Sequence, residues 1–209
     1  MQIAFALYPG FTALDFIGPY QVLSNVPGVE VVLCAAEAGT VSDDNGLLHL
    51  TVGTSIDDVH APDIVVVPGG PGSRTTAAGN GPLVDWLRRV HETTTWTTSV
   101  CTGALLLGAA GILDGRPATT HWLAYDELAA FGARPTEQRV VIDGKVATAA
   151  GVSAGIDLAL TLVGRQWGEE VAQAIQLGIE YDPQPPYDAG SPSKAPVPIK
   201  ELVTAVMRG

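Results

Sequence analysis

Cys101 sits at the joint between two contrasting stretches of chain, Thr95 to Val100 before it and Thr102 to Ala110 after it. The first is rich in Thr and Val and reads as a buried strand; the second is small and apolar nearly all round and reads as a buried helix. In Ser99-Val100-Cys101-Thr102-Gly103-Ala104 the sulfur is therefore presented at the carboxyl end of a sheet, as in the strand–turn–helix elbow of nucleophilic hydrolases. Small residues at 103 and 104 keep such a turn tight. The free N–H groups and the dipole of the following helix favour a thiolate, so a lowered thiol pKa is expected. Cys34, mid-strand among Val32, Leu33 and Ala35, reads as a small buried hydrophobe instead.

Other chemistry-bearing residues also fall just beyond strand ends. Pro68-Gly69-Gly70-Pro71-Gly72 follows the most apolar run of the chain. Glycines there let the backbone approach a ligand and turn the Gly69 and Gly70 N–H groups toward developing negative charge, although a plain tight turn explains them equally well. No Gly-Lys-Ser/Thr follows, so this is not a phosphate loop. Asp15, flanked by Leu14, Phe16 and Ile17, is either a helix-start acceptor or a desolvated general acid/base. His121, in Thr119-Thr120-His121-Trp122, is placed to act as a base but reads first as a structural histidine. His49, His60 and His91 form no triad order, and Asp157, inside an apolar helix, is either a buried partner or a cap.

The elements that must position these residues alternate. Strands are expected at Ile3–Tyr8, Val29–Ala36, Asp63–Pro68 and Thr95–Val100, and a hairpin at Val140–Asp143 and Lys145–Ala149 around Asp143-Gly144. Helices are expected at Pro19–Asn25, Pro82–Glu92, Thr102–Ala110, Leu123–Phe131, Ala154–Trp167 and Glu169–Gly178. This order implies an α/β fold with a mostly parallel sheet covered on both faces. Six prolines between Tyr181 and Pro198 predict an extended surface segment, followed by a short helix over Val197–Met207.

Composition narrows the function classes. The chain has 209 residues, 46% of them apolar, enough for one sizeable core, and reads as one domain over 1–209. Eleven Lys and Arg against 22 Asp and Glu give a net charge of -11, which repels nucleic acid. Two cysteines make neither a disulfide framework nor a zinc site. The start lacks a basic n-region, and no apolar stretch approaches the ~20 residues of a membrane span, so a soluble, cytoplasmic protein is expected.

With these segments placed, the sequence resembles the ThiJ/PfpI-like superfamily. The resemblance rests on Leu14-Asp-Phe-Ile-Gly-Pro19, Pro68-Gly-Gly70, Ser99-Val-Cys-Thr-Gly103, Ala118-Thr-Thr-His-Trp122 and Gly151-Val-Ser-Ala-Gly-Ile-Asp157, with Ala189-Gly-Ser-Pro192 in the tail. It implies a flavodoxin-like three-layer sandwich with a cysteine nucleophile elbow, and a homodimer. Thr102 stands where the protease-like branch places His, and Asp15 where many relatives carry Glu. These departures, and the tail, point to the branch that adds water to isocyanides, giving N-substituted formamides. On that resemblance Cys101, Asp15 and Thr102 are the catalytic residues, and Gly69, Gly70, Gly151 and Val152 bind the substrate or its developing charge. His121 stands behind them, Ala150 replaces a glycine of the hydratase pattern, and no metal or organic cofactor is called for. The alternatives are a glyoxalase- or hydrolase-like enzyme, and a ligand- or redox-sensing domain related to transcription regulators.

Overall fold

A computed structural model describes residues 1–208. In chain order the strands are β1 (Gln2–Ala6), β2 (Glu30–Ala35), β3 (Gly39–Ser42), β4 (His49–Val52), β5 (Thr54–Ser55), β6 (Ile64–Val67), β7 (Trp96–Val100), β8 (Pro117–Ala118), β9 (Arg134–Pro135), β10 (Val140–Asp143) and β11 (Val146–Ala149). The helices are α1 (Ala13–Leu23), α2 (Gly72–Gly79), α3 (Pro82–His91), α4 (Gly103–Ala109), α5 (Tyr125–Ala130), α6 (Ala154–Trp167), α7 (Glu169–Gly178) and α8 (Val197–Arg208). No helix among the described residues is long and apolar enough to cross a membrane.

Seven strands form the central sheet in the order β10-β11-β7-β6-β1-β2-β5. All pairings in it are parallel except the β10–β11 hairpin. In β6, covered on both faces, the side chains are continuously apolar: every residue of Ile64-Val-Val-Val67 is buried. From β1 the chain moves one way to β2, then crosses back to β6 and on to β7. Right-handed crossovers in opposite directions put their helices on opposite faces. Accordingly α1 packs with α6, which in turn packs with α7, while α4 packs with α2, α3 and α5. The reversal falls between β1 and β6, and the carboxyl ends of those strands form the crevice where α/β sheets bind ligands.

Three departures from the sequence reading matter for that crevice. The first helix begins at Ala13 and carries Pro19 inside it, instead of starting there. Proline lacks the N–H of a regular turn, but its ring packs tightly against Gly155 of α6, where an added Cβ would lie 2.9 Å from Pro19 Cγ. Edge-on contacts of Phe16 with Phe5 and Phe11, at 5.3 and 6.1 Å between ring centres, fix α1 on the sheet and set the orientation of its first turn. Second, α2 follows the glycine run at once; its Gly-Ser-Arg-Thr-Thr-Ala-Ala-Gly sequence has no apolar periodicity to announce it. Third, β3 and β4 pair as a separate two-stranded sheet that the sequence did not signal. Residues 181–196 contain neither helix nor strand, as the prolines require, and α8 follows them.

Candidate active site

Cys101 adopts φ +54°, a conformation that strains any residue with a Cβ, at the turn between β7 and α4. The turn is held from three sides. The Cys101 N–H is shared by the carbonyls of Ala149 and Ala150, at 3.0 and 2.9 Å, and Thr120 Oγ1 donates to the Cys101 carbonyl at 2.8 Å. Gly103 permits the third contact: a Cβ there would stand 2.2 Å from the Val67 carbonyl oxygen. Cys101 as a whole is only 5% exposed.

Asp15, in the first turn of α1, is fully buried. It does not cap its own helix. Its Oδ2 accepts the Gly69 N–H across the crevice at 2.9 Å, while Oδ1 has no hydrogen-bond partner. The Cys101 thiol interacts with the carboxylate without reaching hydrogen-bond geometry. Burial raises the Asp15 pKa to about 7; the Gly69 N–H and the thiol oppose that rise, and Asp44 adds slightly to it.

The expected low thiol pKa is not found. Burial, and then the negative charge of Asp15, push Cys101 up to about 12. The backbone N–H groups of Val152 and Thr102 point at the sulfur and favour a thiolate, but they are outweighed. The helix behind the elbow is only seven residues long, and burial removes the solvation a thiolate needs. The pair therefore holds a proton on sulfur and, above about pH 7, a carboxylate beside it.

The glycine loop is used differently from the sequence expectation. Gly69 N–H is committed to Asp15, and Gly70 N–H donates to Thr102 Oγ1 at 2.9 Å, so neither faces an empty site. Thr102 Oγ1 in turn donates to the Gly70 carbonyl at 3.2 Å. Gly70 has φ +128°, and a Cβ on it would be 2.4 Å from the Gly10 carbonyl oxygen. A Cβ on Gly69 would lie 2.5 Å from the Thr102 nitrogen and 2.8 Å from Asp15 Oδ2. The loop thus clamps the acid to the elbow, and the donors that remain aimed at the sulfur are Thr102 N–H and Val152 N–H.

A cavity of about 700 Å³ adjoins the elbow, walled by Leu14, Trp122, Arg139, Val152 and Pro192 among others. Leu14 neighbours Asp15, and Thr120 and Ala150, which bond the Cys101 backbone, also line it. A second cavity of about 500 Å³ lies against Tyr8, Ala38 and Leu83; Cys101 and Asp15 themselves line neither cavity, and the first comes up to them through Leu14, Thr120 and Ala150. Gly151 lets His121 pack against the loop, since a Cβ there would be 3.0 Å from His121 Cδ2. His121 Nδ1 accepts the Leu123 N–H at 3.3 Å, and burial, then Arg74, lower its pKa. It is a neutral wall residue that begins a 3-10 turn. Asp157, left open by the sequence, pairs with Arg139, whose Nε lies 2.5 Å from Oδ2, and accepts from Tyr181 Oη at 3.2 Å. That triplet fastens the start of the tail, whose Gly190–Ser193 segment closes one side of the cavity.

Two neighbours of the site escaped the sequence reading. Tyr8, just beyond β1, is buried, and its hydroxyl donates to the Pro68 carbonyl at 2.5 Å. Arg74, on α2, makes a bidentate ion pair with Glu127 of α5, at 2.8 Å through both nitrogens, and its positive charge reaches Cys101 and His121. A Tyr at a strand end and an Arg in a polar stretch carry no local pattern that marks either one.

A strained cysteine elbow and a buried acid thus meet at the switch point of a doubly wound sheet, which defines a class of α/β proteins with a cysteine at a strand–helix turn. The DJ-1/PfpI family's sequence signature matches residues 1–165, and the chain belongs to that family. It is 44% identical over 202 residues to the isonitrile hydratase of Pseudomonas putida, an alignment covering 94% of this chain and 85% of that protein. It is 31% identical over 180 residues to the HTH-type transcriptional regulator CdhR of Pseudomonas aeruginosa, covering 82% of the chain and about half, 52%, of the regulator. A ThiJ/PfpI family protein from Pseudomonas syringae superposes with a TM-score of 0.95 at 36% identity, covering 99% of this chain and 86% of that one.

Proposed function

We propose that the protein is an isocyanide hydratase, which adds water to an isocyanide to give an N-substituted formamide. The observation that carries this reading is the enclosure of the Cys101 sulfur beside Asp15. An isocyanide is a linear group with its electrophilic carbon at the tip, so it suits the sulfur of a residue that is only 5% exposed. Its nitrogen substituent, however bulky, remains in the adjoining cavity. The likeness to the Pseudomonas putida hydratase over nearly the whole chain supports the same reading.

The chemistry follows from where the proton starts. Above pH 7 Asp15 is a carboxylate and takes the thiol proton as sulfur attacks the isocyanide carbon. The carbon becomes carbanionic, and Asp15 returns the proton to it, leaving a Cys101 thioimidate, R–N=CH–S. The carboxylate next removes a proton from water, the resulting hydroxide adds to that carbon, and the proton passes to nitrogen. Collapse of the adduct breaks the C–S bond, expels the sulfur as leaving group and releases R–NH–CHO, the hydroxyl proton returning to the pair. The N–H groups of Thr102 and Val152 stabilise the sulfur while it carries charge. Gly69 holds the carboxylate, Gly70 and Thr102 hold the loop to the elbow, and Gly151 and His121 shape the wall.

The same reading carries a homodimer in the cytoplasm and a small-molecule partner, with Cys101 and Asp15 as its two catalytic groups. The test is to incubate the reduced protein with an aryl isocyanide and follow the formamide by chromatography. Catalytic formamide production is expected; its absence across small and bulky isocyanides rejects the reading. The regulator relatives contain the same kind of domain in chains about twice as long, and reversible ligand binding without turnover is the result that would favour a sensing role.

A further inference from the structure

We infer that Tyr8 is a positioning residue for Asp15, acting on the carboxylate through the single peptide unit that joins Pro68 to Gly69. That peptide offers its carbonyl to one side and its N–H to the other. Tyr8 Oη donates to the carbonyl at 2.5 Å, and the N–H donates to Asp15 Oδ2 at 2.9 Å. The path runs O–H to O=C–N–H to carboxylate, all of it buried. A donor on an amide oxygen withdraws electrons from its nitrogen, which makes the N–H on the far side a stronger donor. Tyr8 therefore strengthens the hydrogen bond that the Asp15 carboxylate accepts from Gly69, without touching Asp15.

The surroundings keep this relay switched on. Burial, then Asp15 and Cys101, hold the Tyr8 hydroxyl well above its usual titration range, so it remains a donor throughout the working pH range. Its bond to Pro68 also fixes the turn from which Gly69 and Gly70 project, and Thr12 N–H on the other side donates to the Gly69 carbonyl at 2.8 Å. The titratable groups bearing on Asp15 are Cys101 at the elbow, Asp44 from the β3–β4 turn and Tyr8 at the end of β1. Arg74 acts on that set from α2 through Cys101. Among the described residues the Gly69 N–H gives the carboxylate its one hydrogen bond of conventional geometry, and it holds the pKa down more than the Cys101 thiol does, so a change in its strength is felt at Asp15.

The inference rests on the hydratase reading for its catalytic meaning, but its first test does not need turnover. The Asp15 carboxyl band is isolated by infrared difference spectroscopy against Asp15→Asn and titrated in wild type and Tyr8→Phe. A polarisation of 10–30% of a charge-assisted hydrogen bond predicts a midpoint higher by about half a pH unit in Tyr8→Phe. Site-specific 3-fluorotyrosine at position 8, a stronger donor of nearly the same shape, is expected to move the midpoint the other way. In the hydration assay the acid limb of the kcat profile should follow both shifts, while the unfolding temperature of the fluorinated protein stays unchanged. An unmoved Asp15 midpoint in the fluorinated protein overturns the inference, whatever happens to activity. Shifts in both directions without any isocyanide turnover would uphold the relay and reject the hydratase reading.

Discussion

The protein contains two cysteines in comparable burial and of opposite chemical character. Cys34 lies in β2, its thiol toward the Phe5 carbonyl at 3.5 Å, and burial pushes its pKa up to about 12. Cys101 is buried as well and reaches about the same value. Acidity does not separate them. On the proposed reading, what separates them is that Cys101 has a carboxylate to take its proton, two N–H groups to receive the charge and a neighbouring cavity from which an electrophile arrives. Cys34 has a backbone carbonyl and its own sheet. On that reading nucleophilicity is a property of a pair, generated at the moment of attack, and a resting thiolate is unnecessary.

The sharpest way to break this comparison is to exchange the two fates. Cys101→Ala should abolish formamide production, whereas Cys34→Ala should retain wild-type kcat; substantial loss in the second would mean that Cys34 contributes. Asp15→Asn should lower kcat by about 10²- to 10⁴-fold, because the pair then lacks its base. The same substitution is expected to raise the unfolding temperature at neutral and higher pH. Asp15 has a folded-state pKa of about 7, above that of an unfolded Asp, so the fold binds more protons than the unfolded chain between about pH 4 and pH 7. Stability contributed by this residue therefore falls as pH rises through that window, and Asn removes the fall. A gain of a few degrees above pH 7 that vanishes below about pH 4 is the expected calorimetric result. In wild type, kcat should decline below about pH 7 as Asp15 becomes protonated. The smallest effect is expected at the cavity wall: Tyr181→Phe loosens the tail and should raise KM about twofold with kcat unchanged, since the exposed Arg139–Asp157 pair remains.

The parts of this site that the sequence made legible are those whose signal is local. Asp63–Pro68 declared itself by four consecutive β-branched residues, and the elbow by a Thr/Val strand running into a helix of small residues. The Asp143-Gly144 turn marked its hairpin. Long-range pairings left no such trace. Tyr8 and Pro68 are 60 residues apart, and Asp15 and Gly69 are 54 apart. The glycines of the loop were visible as glycines, but reading their N–H groups as open donors missed that a parallel sheet brings Asp15 and Thr102 against them. The thiol expectation failed for a related reason. A helix N-terminus is written in sequence, whereas the desolvation and the neighbouring carboxylate that overrule it come from α1 and β6. Pro19 hid the true start of α1 because its accommodation depends on Gly155, on a helix far along the chain.

The fastening of residues 190–193 across the cavity has an evolutionary consequence. On the proposed reading the sheet ends supply the nucleophile and the acid, while part of the cavity's outer wall comes from an irregular stretch whose start is tied to α6 by the Tyr181–Asp157 hydrogen bond. Substitutions at 190–193 are expected to leave the glycine loop and the elbow in place, so on the proposed reading natural variation can retune which nitrogen substituents are admitted while the reacting pair is inherited intact. A directed-evolution library confined to residues 189–193 would exploit that separation, exploring substrate range at little risk to the chemistry.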